Sequence, residues 1–266
     1  MAEPVVSMNA ASLAFGDRTL WDNLNLEIRP GEFFAVLGPN GSGKTSFLKV
    51  LLGLQQLTSG TVRLQGRSVD RGSRDIGYIP QQKEFTHDTP LRARDLVGLG
   101  VDGHRWGLRL RTATYNRRVD ELLDLVGASE YAQVPVGLLS GGEQQRLRVA
   151  QALATDPKVL LCDEALLSLD LHHQQAVSRL VNEQCRTGNS AVIFVTHEIN
   201  PVIDYVDRVL YLAGGQFRVG TPEEVMTTEV LSDMYGTNVE VLRSNGRIVV
   251  VGLPDATTHH HVHEDV

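Results

Sequence analysis

Cysteine is scarce in this sequence, and so are the features that would tie it to an oxidising compartment, a bilayer core or a nucleic acid. Only Cys162 and Cys185 occur in 266 residues. Cys162 sits inside an apolar run, where a thiol behaves as a small core side chain, so a reducing compartment is expected rather than a disulfide framework. Uninterrupted apolar stretches such as Ala191 to Val195 fall far short of the roughly 20 residues a membrane-spanning helix requires. Any link to a membrane therefore has to run through a partner. Positive charge is not in surplus either: 32 acidic against 25 basic residues leave a net charge of −7, and no nucleic acid is expected as a partner. The first residues, MAEPVVSMNAASLAF, carry an acid where a secretory signal is basic and contain no continuous apolar segment, so a cytosolic location is expected. Internal repeats, low-complexity linkers and long heptad patterns are missing, which excludes solenoids and coiled coils.

What is present has the balance of a folded globular chain, with 42% hydrophobic and 21% charged residues. Leu24, Leu26 and Ile28 alternate with Asn23, Asn25 and Glu27, as in an edge strand with one buried face. Phe33 to Leu37 is continuously apolar, which suits a central strand covered on both sides. Short strands are expected at Thr61 to Leu64 and Ile76 to Ile79, then helical character from about Arg92 to Gly127. Farther on, helix and strand alternate: a helix from Gly142 to Ala154, a strand from Lys158 to Cys162, a helix from His172 to Arg186, and strands at Ala191 to Val195 and Arg208 to Leu212. That order implies a mostly parallel sheet with helices on its faces. Thr221, Pro222 and Glu224 carry a capping-box pattern for a short helix, and Asn245-Gly246 between two apolar runs signals a hairpin over Glu240 to Val251.

Two clusters carry chemistry. Gly38, Pro39, Asn40, Gly41, Ser42, Gly43, Lys44 and Thr45 satisfy G-x-x-x-x-G-K-[ST] between a strand and a helix. Glycines let successive N–H groups face phosphates; Lys44 adds charge, Thr45 offers a hydroxyl to Mg²⁺, and a nucleotide is the expected ligand. Val159 to Cys162 is an apolar strand running into Asp163 and Glu164. Because strand residues alternate sides, Asp163 is expected to approach the Mg²⁺ and Glu164 the attacking water. An acidic pair alone is also an ordinary decoration of a helix N-terminus; its company with Lys44 is what gives it chemical meaning.

A third stretch is more specific. Leu139, Ser140, Gly141, Gly142, Glu143, Gln144, Gln145 and Arg146 resemble the signature motif of ABC ATPases, and about residues 5 to 235 resemble that family. A serine hydroxyl and glycine amides at a helix start form an anion site of their own. The resemblance implies a P-loop NTPase core, an N-terminal antiparallel β subdomain and an inserted helical subdomain at about 84–150. It also implies a homodimer or heterodimer of ATPase subunits in which the signature of one chain closes over the ATP of the other. Further positions match in order. Phe15 resembles the aromatic that stacks on adenine, its alternative being a core phenylalanine. Gln81, with Gln82 beside it as the other register, resembles the glutamine that senses Mg²⁺ and links the core to the helical subdomain. His197 resembles the switch histidine at the γ-phosphate, and Asp170, after Ser168-Leu169, the aspartate of the loop between subunits. Lys44-Thr45-Ser46 replaces the frequent Lys-Ser-Thr and keeps a hydroxyl at the Mg²⁺ position. Ala165 and Leu166 stand where the family commonly has proline and threonine, which predicts a less fixed turn.

The resemblance further implies permease subunits in the membrane, a substrate-binding protein in the full system, and a peripheral place on the cytoplasmic face of the cell membrane. Ile76 to Gly100 resembles the corresponding region of ATPases from manganese and zinc uptake systems. Residues 236–266 read as a separate hairpin followed by a tail in which His259, His260, His261 and His263 form either a weak metal site or a solvated segment. The expected function is an ATPase energising import, with a divalent metal as cargo. The alternatives are another imported substrate or a non-transport ABC regulatory ATPase. The last would normally carry a long coiled coil or a second cassette, and the sequence has neither.

Overall fold

The structure is a computed structural model that describes residues 3–81, 85–103, 112–167 and 169–252. Gln82, Ser168 and the four tail histidines lie outside the described residues. In chain order the elements are β1 (Val6–Phe15), β2 (Arg18–Ile28), β3 (Phe33–Leu37), α1 (Lys44–Leu51), β4 (Ser59–Leu64), β5 (Arg67–Ser68), β6 (Ile76–Ile79), α2 (Ala93–Asp102), α3 (Ala113–Leu125) and α4 (Gly141–Ala152). They continue with β7 (Val159–Asp163), α5 (Leu171–Gly188), β8 (Ala191–Val195), β9 (Arg208–Ala213), β10 (Gln216–Gly220), α6 (Pro222–Val225), α7 (Thr228–Tyr235), β11 (Glu240–Ser244) and β12 (Arg247–Val251).

These form an α/β fold with two main sheets. An antiparallel sheet runs in the order β2-β1-β4-β5, and β2 is an edge, as its alternation predicts. A second sheet runs β10-β9-β3-β8-β7-β6, parallel except for β10, which folds back on β9. Sequence alternation does not announce β10. It is reached through Gly214 and Gly215, both at positive φ, and its residues are exposed or half-buried.

The parallel sheet is a wall between two hydrophobic cores. Along β3, Phe33, Ala35 and Leu37 face a core built with α2, α3, α4 and α5, while Phe34 and Val36 face a core built with β1, β2 and α1. β7 and β8 divide the same way: Leu160, Cys162, Val192 and Phe194 on the first side, Leu161, Ile193 and Val195 on the second. Period-two side-chain geometry forces this division, and covering both faces explains why these strands are continuously apolar. Cys162 and Cys185 are free, buried thiols in the first core; burial pushes both up, Cys185 to about 11.

The helical stretch expected from Arg92 to Gly127 is two helices, α2 and α3. Both capping boxes form, Ser140 with Glu143 at α4 and Thr221 with Glu224 at α6. The hairpin β11–β12 turns at Asn245-Gly246, both at positive φ as a tight turn requires. Its Ile248 and the preceding Val239 belong to the first core.

Phe194 is buried and stacks on Phe33 with ring centroids 5.8 Å apart. Phe194→Ala is expected to lower unfolding free energy by about 3–5 kcal/mol, the range for a cavity left by a buried ring, measured by urea denaturation.

Candidate nucleotide site

The loop after β3 takes its shape from glycine. Gly38, Gly41 and Gly43 have φ of 142°, 77° and 108°, a region closed to most side chains. A Cβ on Gly38 would stand 2.1 Å from the Leu212 carbonyl oxygen, and one on Gly43 would meet Trp21 at 3.1 Å. The backbone is thus free to curl, and α1 begins directly at Lys44 with its first N–H groups turned to the loop.

Lys44 is buried, and its Nζ donates to the carbonyls of Gly38 at 2.7 Å and Pro39 at 3.0 Å. Burial lowers its pKa, opposed by the charges of Glu164 and Asp163. Around it lies a cleft of about 540 Å³ lined by Phe15, Arg18, Asn40, Gly41, Gly43, Thr45, Ser46, Gln81, Asp163 and Glu164. Its size suits a small-molecule ligand. Phe15 is 52% exposed, so its ring stands in the cleft and is not a core side chain.

Asp163 is the last residue of β7, and Glu164 is already beyond the strand, at φ 46°. Both carboxylates line the cleft, with separate partners, because the chain turns left-handed at Glu164; a strand alternating through both would send them to opposite faces. Such a conformation costs a non-glycine residue roughly 1–2 kcal/mol. It is held by the Glu164 N–H donating to the Val195 carbonyl at 2.9 Å. Gln81 Nε2 then donates to Glu164 Oε2 at 3.0 Å, and His197 Nδ1 lies 3.3 Å from Oε1. Three separate segments converge on one carboxylate.

Sequence reasoning missed two residues here. The Tyr78 hydroxyl donates to Asp163 Oδ2 at 3.1 Å. Burial, with Asp163 beside it, pushes the phenol up to about 12, so it keeps its proton throughout the neutral range. Burial raises the Asp163 carboxyl as well, against the pull of that hydrogen bond. The available signal was one polar ring in the apolar strand β6. The second is Arg18, whose guanidinium donates to the Gly41 carbonyl at 2.6 Å; a cation three residues after Phe15 was its trace.

Not everything comes together in one chain. Ser140, Gly141, Gly142 and Glu143 do not line the cleft. Ser140 caps α4, with its Oγ and N–H both donating to Glu143 Oε2 at 2.8 Å, and Gly142 leaves room for the His173 ring, 2.0 Å from where a Cβ would be. Asp170 caps α5, accepting from the His173 N–H at 2.9 Å, with His173 Nδ1 at 2.8 Å from its other oxygen. These bonds hold its carboxyl below the usual range. The turn at Ala165 and Leu166 is held by burial and hydrogen bonds in place of a proline ring. Both side chains are buried, the Leu167 N–H donates to Glu164 O at 3.0 Å, and Gln174 Nε2 donates to Leu166 O at 3.4 Å.

Among the described residues, no group of three metal-ligating side chains gathers and no helix is long and apolar enough to cross a membrane.

Against known proteins, the model of the ABC transporter family matches residues 21–167. The manganese transport system ATP-binding protein MntB of Halalkalibacterium halodurans is 30% identical over 250 residues, covering 94% of this chain and 99% of that protein. The petrobactin import ATP-binding protein FpuC of Bacillus anthracis is 31% identical, covering 91% and 90%. The sulfate/thiosulfate import ATP-binding protein CysA of Nocardia farcinica is 34% identical, covering 92% and 73%. A solved structure described as an inward-facing metal-chelate type ABC transporter superposes with a TM-score of 0.78 at 24% identity, covering 93% of this chain and 96% of that one. The ATP-binding cassette MJ0796, solved as a dimer in a post-hydrolysis state with ADP and phosphate, gives a TM-score of 0.67 at 27% identity, covering 81% and 98%.

Gly38→Ala places a Cβ against the Leu212 carbonyl and is expected to abolish binding of a fluorescent ATP analogue in equilibrium titration. An unchanged Kd would show that the loop is not the phosphate cradle.

Proposed function

This chain belongs to the ABC transporter family as an ATP-binding subunit of the importer type, and from that premise we propose how its residues hydrolyse ATP and what the hydrolysis drives. Membership makes it an ATPase coupled to transport. The observation that carries the assignment of roles is the convergence of Lys44, Thr45, Gln81, Asp163 and Glu164 on one cleft.

Phe15 stacks on the adenine. The amides from Gly38, Pro39, Asn40, Gly41, Ser42 and Gly43 to Ser46 wrap the phosphates, and Lys44 exchanges its carbonyl partners for phosphate oxygens. The Thr45 hydroxyl, Asp163 carboxylate and Gln81 amide oxygen are the hard oxygen donors that Mg²⁺ prefers, and all three residues line the same wall. These residues would hold Mg²⁺, which would supply positive charge against the negative charge that develops on the phosphates. Tyr78 orients Asp163 for that contact. Glu164 accepts the proton of the attacking water, and His197, an exposed ring beside it, meets the γ-phosphate.

The site is completed across a pair of chains, identical or not. Ser140 and the amides of Gly141, Gly142 and Glu143 lie outside the chain's own cleft, which supports their closing on the nucleotide of a partner, with Asp170 near the crossing. Membrane permease subunits dock beside Gln81 and the helices at about 84–150, on the cytoplasmic face, and a substrate-binding protein delivers the cargo. We assign a divalent metal such as manganese or zinc as that cargo. The full-length similarity to a manganese system and the Ile76 to Gly100 stretch support it. Relatives named for sulfate/thiosulfate and for spermidine/putrescine favour a second reading, import of another small solute.

Glu164→Gln is expected to slow turnover by roughly 10²–10⁴-fold, the contribution of a positioned general base, while ATP binding persists and drives the chain into dimers. Phosphate release and sedimentation velocity with ATP read both; an unchanged rate removes Glu164 from the base role. Cells expressing the system with wild-type chain, but not with Glu164→Gln, are expected to accumulate radiolabelled manganese. Accumulation of sulfate or polyamine in its place would overturn the metal assignment.

A further inference from the structure

The loop after β8 carries His197, whose side chain is about half exposed, while Ile199 and Val202 farther along are buried in the first core. Behind it lies a cavity of about 320 Å³ lined by Leu37, His197, Ile199, Met226, Ile248 and Val250, among others. The Thr196 N–H donates to the Val36 carbonyl at 3.1 Å, tying the start of the loop to β3, while its hydroxyl bonds locally, donating to Glu198 O at 2.9 Å and accepting from the Glu198 N–H at 3.1 Å. Toward the hairpin, a side-chain amide adds a polar tie.

Asn200 makes that tie. Its Nδ2 donates to the Ile248 carbonyl and its Oδ1 accepts from the Ile248 N–H, both at 2.8 Å. Ile248 stands opposite Arg243 in the hairpin and turns its own N–H and C=O away from β11. The Asn200 amide therefore replaces one residue of a third strand, satisfying both backbone groups at the free edge of β12. The hairpin is itself anchored: Arg243 Nη2 donates to the carbonyls of Pro222 and Met226, both at 3.1 Å, and the Val241 N–H donates to Thr228 Oγ1 at 2.9 Å. A continuous chain of contacts thus runs from α6 and α7 through the hairpin and Asn200 to the loop holding His197, and from His197 to Glu164.

We propose that Asn200 is a positioning residue through which the C-terminal hairpin sets His197 against Glu164, making the hairpin a built-in control on the rate of ATP hydrolysis. The proposal rests on the role given to His197 above. Asn200 touches no reacting atom; it acts by holding the backbone three residues away.

Asn200→Ala removes both bonds, and Asn200→Asp keeps the acceptor for the Ile248 N–H, loses the donor and preserves shape. In the full-length chain, turnover per nucleotide-occupied site is expected to fall roughly tenfold in Asn200→Ala, within what small misplacements cost, and by less in Asn200→Asp. KM for ATP with Mg²⁺ should stay within twofold, and amide hydrogen exchange should rise selectively across residues 196–202. Wild-type turnover in both variants overturns the proposal, whether or not exchange rises. So does a raised KM at unchanged kcat, or a rise in exchange spread over the whole chain, which would mark a general stability role. His197→Ala is the separating control: if it retains wild-type turnover, the role of His197 fails, whereas a slow His197→Ala beside a fast Asn200→Ala sinks the clamp alone.

Discussion

The carboxylate of Glu164 is the meeting point on which the site depends. Its residue follows directly on the buried strand β7, lines the same cleft as the phosphate loop, and receives Gln81 from after β6 and His197 from after β8. Holding it there requires a left-handed backbone at a residue that resists one. The cost is offset by the Glu164 N–H bond to Val195 and by the burial of Ala165 and Leu166 immediately behind it. Were Glu164 merely the next strand residue, its side chain would point away from Lys44 into one of the two cores, and the two segments that reach for it would have no common target. The local distortion organises a catalytic arrangement out of three ordinary strand ends.

This distortion marks the boundary of what sequence reasoning reaches. Features set by local chemistry are legible: glycines where φ must be positive at Gly38, Gly41 and Gly43, the serine at the start of α4, the Thr221–Glu224 capping box, the alternation of β2, and the Asn245-Gly246 turn. The spacing of Lys44, Asp163 and Glu164 locates the site, because only a parallel sheet brings those distant residues to one edge. Tyr78, Arg18 and Asn200 were not legible, since each acts on a partner 85, 23 or 48 positions away that no local pattern specifies. Strand alternation is expected through both Asp163 and Glu164, whereas the strand ends at Asp163 and a left-handed turn keeps Glu164 on the cleft side. The replacement of proline by Ala165 pointed to a looser loop; the burial of Ala165 and Leu166, which the local sequence did not signal, is what packs this turn against the core.

The C-terminal segment shows how tertiary context changes the meaning of a local signal. From its turn residues, β11–β12 is an independent hairpin, and an isolated two-stranded ribbon is marginal in water. Ile248 and Val239 are instead buried in the larger core, while Leu242, Val249 and Val251 remain about half exposed on the other side. The ribbon is stable because it is a third wall for the loop of His197, and its polar edge is completed by one asparagine.

The parallel sheet separates the molecule into two packed bodies that share few side-chain contacts, since alternate residues of β3, β7 and β8 commit to opposite sides. A side-chain displacement on one side is therefore poorly felt on the other; the stiff peptide ladder filters it out. At the carboxyl edge of the strands this insulation ends, because Phe15 and α1 belong to one body while Gln81 and Glu164 lead into the other. A nucleotide seated there is therefore mortar between two bricks, touching at once elements that the sheet elsewhere keeps apart.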